Sequence, residues 1–522
     1  MKLKIVKKYI IIILAALVAM PLAAQEQVPD STVTDTTVVK IKKLKRRKKP
    51  QEVDSLGRKI KTGWNFGILP SVAYDADYGF QGGVLTNIYY YGDGSQYPEY
   101  IHSLYFEAAY TTKHHGIFRF NYDSKYVIPG YRLTLDATYL PDAMCDFYGF
   151  NGYEANYDYR VHSWNKNTAQ MDTNLYTSRV FYKYKRDLIR IAGDIEGTIY
   201  KDLKWNAGLG VLGYLIDDCD INMLNGKNTY DPANPYAKPL NPDAQLLYSK
   251  YKTWGLIGKD EMKGGWHPYV RGGMTYDTRD KRQGPNKGIY TDAFFTYSAA
   301  FNAAYGAQAS AGYNHLQFNF TFRHYVPCYV DKKGVHRITF AYRIGTQNLI
   351  AGRSPFYMNN YLNALFIQRV YYEGLGGGNS VRGMMAHRIL ANGFAYANVE
   401  FRFRVVNFDI GRQHFFIGLN PFFDLGMITQ PYNLNDLVKM HTKDWPTPYT
   451  TLQASMTAAG DCYEAYFKTT AKNIYTPHMT AGVGLKIGMN ENFVLSADWG
   501  MPIHKQDNNK YANFYVKMGY LF

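Results

Sequence analysis

Residues 397–405 read Ala397-Asn-Val-Glu-Phe-Arg-Phe-Arg-Val405, and this stretch decides the fold class. Ala397, Val399, Phe401, Phe403 and Val405 take alternate positions, with Asn398, Glu400, Arg402 and Arg404 between them. Successive side chains of a strand point to opposite faces, so the segment has one greasy face and one charged face. The pattern recurs at 316–323, where Leu316, Phe318, Phe320 and Phe322 alternate with Gln317, Asn319, Thr321 and Arg323. It also ends the chain: Phe514, Val516, Met518, Tyr520 and Phe522 fall opposite Asn513, Tyr515, Lys517 and Gly519. A soluble sandwich alternates too, but it does not usually set charges so regularly behind so aromatic a face. Strands with lipid on one side and a wet interior on the other do.

Outward from these segments the same reading extends from about Gly63 to the end, as segments of roughly ten residues separated by turn signals. Candidate strands are 64–74, 78–91, 99–112, 115–126, 130–140, 176–186, 188–201, 203–216, 266–277, 287–300, 308–326, 335–348, 393–406, 413–426, 477–488, 492–502 and 510–522. Bacterial single-chain barrels use an even number of strands, so one candidate is surplus and the expectation is about sixteen. The fold class is therefore all-β, a transmembrane antiparallel β-barrel. Long connections at 141–175, 217–265, 349–392 and 427–476 contrast with tight turns such as Pro129-Gly130, which suits a periplasmic start with long loops outside.

Composition narrows the class. Beyond residue 25 no apolar run reaches the roughly 20 residues of a spanning helix, whereas Tyr (49), Phe (29) and Gly (46) are abundant. The first residues differ: Lys2, Lys4, Lys7 and Lys8 precede an apolar run from Tyr9 to Leu22, closed by Ala23-Ala24. That is the form of a secretory signal peptide cut after Ala24. The domain plan is thus a signal peptide at 1–24, a basic periplasmic tail or linker at 25–62, and a barrel at 63–522.

The formal net charge of +16 is not evenly spread. Four charges sit in the signal peptide, eight in Lys40-Ile-Lys-Lys-Leu-Lys-Arg-Arg-Lys-Lys49, and the rest of the chain carries only +4. An exported protein rarely meets nucleic acid, so two readings remain for the basic run: a solvated linker, or a patch for the anionic phosphates of lipid or a partner. Cys145, Cys219, Cys328 and Cys462 lack zinc spacing, and the sequence does not choose among their disulfide pairings. No metal or cofactor is expected. The acidic run Asp217-Asp-Cys-Asp220 has oxygen ligands for calcium but reads more simply as a polar loop.

Three segments carry a family resemblance. Tyr276-Asp277-Thr-Arg279-Asp280, followed by Pro285 and Gly288, forms one. Gly376-Gly-Gly-Asn-Ser-Val381-Arg382-Gly383 forms the second, and Asn398-Val-Glu400 with Phe422-Phe-Asp424-Leu-Gly426 the third. Together they resemble the barrel half of the BamA/TamA-type assembly and translocation proteins, the bacterial surface antigens, over roughly 64–522. In that family the glycine-rich segment is a loop folded into the lumen, with Tyr or Phe after its Val-Arg-Gly; here Met384 takes that place. The resemblance implies acidic partners for Arg382 on the two following strands, Glu400 and Asp424. A terminal Phe522 resembles the signal that such barrels present to their insertion machinery.

The residues support that set without the family. By alternation Glu400 lies on the wet face with Arg402, and Asp424 lies with Asn420 and Phe422, opposite Phe415, Ile417, Leu419 and Phe423. A loop arginine reaching between two strands can bond both carboxylates through its planar fork, which a lysine cannot copy. Periplasmic POTRA modules of roughly 75 residues, which the assembly members carry, do not fit before the barrel, so the resemblance points to a short branch lacking them.

No enzyme emerges. Gly378-Asn-Ser-Val-Arg-Gly383 lacks the spacing of a nucleophile elbow, and His114 and His115 alternate onto opposite faces of their strand. The function expected is help with the insertion or passage of proteins or lipids at the cell outer membrane, as an accessory subunit of a larger complex. Outer membrane lipids and other outer membrane or periplasmic assembly proteins are the expected partners. The alternative is a passive pore or a structural surface barrel.

Overall fold

The computed structural model describes residues 60–97, 99–162, 175–233, 239–281, 284–299, 313–359, 374–410, 413–468, 474–489, 493–508 and 513–522. The signal peptide, its cut after Ala24 and the run Lys40–Lys49 lie outside the described residues.

Sixteen antiparallel strands among the described residues form a closed wall. In chain order they are β1 (Trp64–Pro70 continuing as Ala73–Asp75), β2 (Gly79–Tyr90), β3 (His102–Thr111), β4 (Gly116–Ile128) and β5 (Tyr131–Leu140). Then come β6 (Lys183–Tyr200), β7 (Leu203–Asp217), β8 (Gly264–Asp277), β9 (Gly288–Ser298), β10 (His315–Val330) and β11 (His336–Gly352). The last are β12 (Gly393–Ile410), β13 (Gln413–Gln430), β14 (His478–Met489), β15 (Phe493–Pro502) and β16 (Asn513–Met518). Each strand pairs with the next, and β16 returns to β1. Among the described residues no helix is long and apolar enough to cross a membrane.

Alternation decides which way each side chain points. Phe66 (74 % exposed), Leu209 (68 %), Phe401, Leu485 and Trp499 face outward as a bare apolar surface. Their neighbours face inward and pair across the wall: Arg132 with Asp123 at 2.6 Å, Arg190 with Asp136 at 3.0 Å and Arg271 with Asp194 at 2.5 Å. Buried charge is tolerated when paired and hydrogen-bonded.

The structure corrects four details. The surplus candidate is 176–186: only its end, from Lys183, belongs to a strand, while Phe181 and Tyr182 pack into a loop core. His114 sits in the turn before β4 with φ 61°, so the two histidines do not share a strand. Phe415, although on the face opposite Asp424, is not bare: Phe408 stacks on it across the hairpin at 5.5 Å and leaves it buried. The last strand stops at Met518: Gly519, with φ 89°, turns the chain inward, and Phe522 ends buried beside Tyr325 and Ala341 instead of on the greasy face.

Long connections gather at one end and form a core of their own. Short helices Leu247–Thr253, Phe356–Asn359, Leu434–His441, Leu452–Ala458 and Tyr463–Tyr466 meet around the fully buried Trp254. Phe147 and Phe150 from the β5–β6 connection pack edge-on against Tyr251 at 5.0 and 5.1 Å. Such edge-to-face pairs add to the stabilisation from area burial. These packed connections form a cap at that end of the barrel.

All four cysteines are free thiols, Cys145 and Cys219 buried, Cys328 and Cys462 exposed. Burial pushes the Cys219 thiol up to about 12 and raises Cys145 as well. Since the thiolate is the reactive form, maleimide is expected to label Cys328 and Cys462 on the folded protein, and Cys145 and Cys219 only after denaturation. Peptide mass mapping reads the outcome; rapid labelling of Cys145 in folded protein would contradict it. The carboxylates of the 217–220 run are engaged: Asp217 by Lys263 at 2.6 Å, Asp218 by Lys252, and Asp220 by the backbone N–H of Met223 at 2.9 Å.

Candidate functional site

The connection 374–392 between β11 and β12 lies against the inner, charged face of β11–β16. A bridge between Leu375 and Ile389 closes its base. Leu375, Val381, Met384 and Ile389 are all fully buried and pack against Phe394, Tyr396 and Ile428 of the wall. Met384 thus fills, with a flexible thioether, the position where the resembled family has an aromatic ring. Gly426 leaves room for the base, since a Cβ there would lie 3.0 Å from Leu375 and 3.2 Å from Ile389. At the tip, Gly383 has φ 99°, and its Cβ would come within 2.7 Å of the Gly500 carbonyl carbon on β15. Side chains at either glycine would hold the two backbones apart.

This close approach delivers Arg382, which is fully buried. Its Nε and Nη2 donate to Asp424 Oδ2 and Oδ1 at 2.8 and 2.9 Å, and its backbone N–H donates to the same carboxylate at 3.0 Å. Nη1 donates to Glu400 Oε2 at 3.2 Å, and the guanidinium lies 3.5 Å over the Phe422 ring. The structure therefore brings Val381, Arg382, Gly383, Glu400, Phe422, Asp424 and Gly426 into one place.

Further charges complete the cluster. Asp498 of β15 lies 3.8 Å from Arg382 Nη1 and binds Lys486 of β14 at 2.5 Å. Arg402 Nε donates to Glu400 Oε1 at 2.7 Å, and its remaining nitrogens reach the carbonyls of Pro285 at 3.0 Å and Phe522 at 2.7 Å. Arg382, Arg402 and Lys486 thus balance Glu400, Asp424 and Asp498. Sequence reasoning placed Arg402 on the wet face without assigning it a role, and it missed Lys486 and Asp498. Alternation would have turned these two inward as well, but only the neighbour relations of the closed wall bring them to Arg382.

Asp277, Arg279 and Asp280 stand apart from the cluster. Arg279 folds back on Asp277 with a two-pronged contact at 2.8 and 2.9 Å, and Asp280 accepts from the backbone N–H groups of Lys281 and Asn286, each at 3.0 Å. They shape the β8–β9 turn, which touches the cluster through Pro285.

The loop also touches the first and last strands. The Gly383 N–H donates to the Tyr515 hydroxyl at 3.1 Å, and Lys517 donates to the Gly378 carbonyl, both from β16. His387 faces the Tyr78 hydroxyl of the β1–β2 turn at 3.3 Å. Burial and then the nearby Arg186, Lys183 and His115 hold His387 well below the usual imidazole range, so the ring stays neutral. Towards the cap, Arg388 donates to the carbonyls of Gln506, Gly152 and Ala155 at 2.8, 2.7 and 3.1 Å. The carboxylates and guanidinium groups of the cluster are thus engaged with one another and with backbone carbonyls.

A family model described as the Omp85 superfamily domain matches residues 102–522. Among solved structures, BamA from Haemophilus ducreyi lacking POTRA domains 1–3 is 13 % identical, covering 88 % of this chain and 71 % of that one, with a TM-score of 0.45. CdiB from Escherichia coli is 11 % identical, covering 86 % of this chain and 62 % of that one, also with a TM-score of 0.45. The chain thus spans less than two thirds of that CdiB chain. No curated protein matches the sequence.

Proposed function

The chain belongs to the Omp85 superfamily, and from that premise we propose that it is an outer-membrane barrel that assists the insertion or passage of proteins or lipids through its seam, as an accessory subunit of a larger assembly. One observation carries the reading: among the described residues β16 and β1 pair only at Tyr515 with Asp75 and Val516 with Tyr74. By contrast β8 pairs with β7 without interruption from Gly264 to Tyr276. Each backbone hydrogen bond contributes about 0.5–1.5 kcal/mol net, so a junction this short opens far more readily than any other. The Arg382 loop, touching Tyr515, Lys517 and Tyr78, holds the two strands together from inside. A loop packed on the wall and a cap at one end of the barrel speak against a passive pore.

In this reading residues 1–24 are a cleaved signal peptide, 25–62 a basic periplasmic segment, and the partners are outer membrane lipids and assembly proteins. The decisive experiment is a Tyr74→Cys/Val516→Cys pair in a background carrying Cys328→Ser and Cys462→Ser. Oxidation is expected to lock the seam and deplete clients from the outer membrane, and reductant is expected to restore them. Fractionation with amino-terminal sequencing should place the protein in the outer membrane, beginning at Gln25. Full function of the oxidised, cross-linked barrel would exclude a seam mechanism.

A further inference from the structure

Between the cap and the cap-side end of the seam lies a cavity of about 610 Å³, within the range of roughly 300–1,000 Å³ usual for small-molecule sites. One wall is aromatic. Tyr157 and Tyr182 lie with ring centroids 5.3 Å apart, and Tyr159, 42 % exposed, stands beside them. Their polar ends are partly committed: the Tyr157 hydroxyl meets His162 at 3.0 Å, and the Tyr182 hydroxyl accepts from the Asp158 N–H at 3.0 Å. Tyr157 and Tyr182 are themselves buried, so the ring left for a ligand to lie against is that of Tyr159.

The opposite wall is polar and comes from both sides of the seam. Asp77 belongs to the β1–β2 turn, and Asn508 and Asn513 flank the start of β16. Asp77 Oδ2 is shielded from solvent and finds no hydrogen-bond partner among the described residues. A buried acceptor left open costs free energy unless a donor fills it.

Charge in the lining selects the kind of donor. Lys113 spends its ammonium on the carbonyls of Ala76 and Asp77 at 2.7 and 2.9 Å, and Lys183 is held by Asp146. An anionic ligand would meet Asp77 and Asp146, whereas a cationic one would meet Lys113, Lys183 and Arg179. A purely apolar ligand would leave the Asp77 oxygen unanswered. Neutral, hydroxyl-rich rings answer all three constraints: a C–H face lies on the Tyr159 ring, and hydroxyls exchange hydrogen bonds with the Asp77 carboxyl. We propose that this cavity binds a neutral saccharide of several rings, stacked on Tyr159 and hydrogen-bonded to Asp77. The site stands whether or not the seam opens in function.

The saccharide could be carried by a lipid or belong to a free glycan, and two arms separate the sources. In the first, calorimetry on the full-length protein in detergent uses maltotetraose, cellotetraose, mannotetraose and chitotetraose, with glucose 6-phosphate as the anionic comparison. In the second, hydrogen exchange at residues 155–162 is compared in phosphatidylcholine nanodiscs with and without digalactosyldiacylglycerol. The expected result is saturable binding of a neutral sugar in at least one arm, weakened about tenfold or more by Tyr159→Ala and by Asp77→Asn. Tyr297→Ala, on the outer face of β9, is expected to change nothing. Asp77→Asn keeps the shape of the side chain and replaces the carboxyl that bears the unpartnered oxygen by an amide, so it tests the site without threatening the fold. Absence of binding in both arms, binding of glucose 6-phosphate alone, or binding indifferent to both variants would overturn the proposal.

Discussion

Arg382→Ala is expected to free the glycine-rich loop from the wall while the barrel itself stays folded in the membrane. Of the three acids around Arg382, Glu400 keeps Arg402 and Asp498 keeps Lys486, but among the described residues Asp424 has hydrogen bonds from Arg382 alone. The variant leaves that carboxylate buried with only the backbone N–H of residue 382, which alanine keeps, as a donor. Removing one partner of a buried pair costs about 3–5 kcal/mol, comparable to the whole stability of a docked loop. Arg382→Lys is expected to recover little, because an ammonium cannot reproduce the fork across Asp424 and Glu400. Adding Asp424→Asn to Arg382→Ala is expected to recover a substantial part, since it removes the stranded charge. Protease cleavage within 374–392, set against heat-modifiable gel mobility for the barrel, separates the two effects. Because the loop also holds Tyr515, Lys517 and Tyr78, the seam is expected to loosen with it, read as faster hydrogen exchange in β1 and β16. Wild-type protection of the loop in Arg382→Ala would show that the brace lies elsewhere.

Trp254→Ala is expected to melt the cap without unfolding the barrel. The indole is fully buried, packs against Tyr251, Tyr466 and Phe467 with centroids 5.5, 4.9 and 6.0 Å away, and donates to Asp461 at 2.8 Å. Truncating a core Trp to Ala costs about 3–5 kcal/mol, much of it for the cavity left behind. The cap is built from loops, whereas the wall is a closed backbone ladder, so the loss falls on the cap. Proteolysis is expected to cut 218–263 and 431–468 early while heat-modifiable mobility persists. Loss of the barrel together with the cap would mean that the two fold as one cooperative unit.

The cap is also where the sequence was hardest to read. Residues 176–182, Tyr-Thr-Ser-Arg-Val-Phe-Tyr, alternate much as a strand does, and nothing local separates that pattern from aromatic side chains packing into a loop core. At the seam the difficulty was different. Segments 64–74 and 510–522 look as long as other strands, yet the first is interrupted at Ser71-Val72 and its longer part pairs only with β2. The second is cut short by the turn at Gly519, after which Arg402 holds the Phe522 carbonyl inside.

By itself the sequence determined that the chain alternates as a barrel, which side chains face inward, and that Arg382 has two acids within reach of its loop. The first two follow from the period-two geometry of a strand, a local property of the chain, while the third was what the family resemblance implied and the alternation of Glu400 and Asp424 supported. Only the tertiary structure decided that Asp498 and Lys486 join the cluster, that the cap has its own core, that the chain end tucks inward, and that the wall closes on two paired positions. Each depends on which distant segments become neighbours once the sheet curls shut, and no spacing along the chain encodes that.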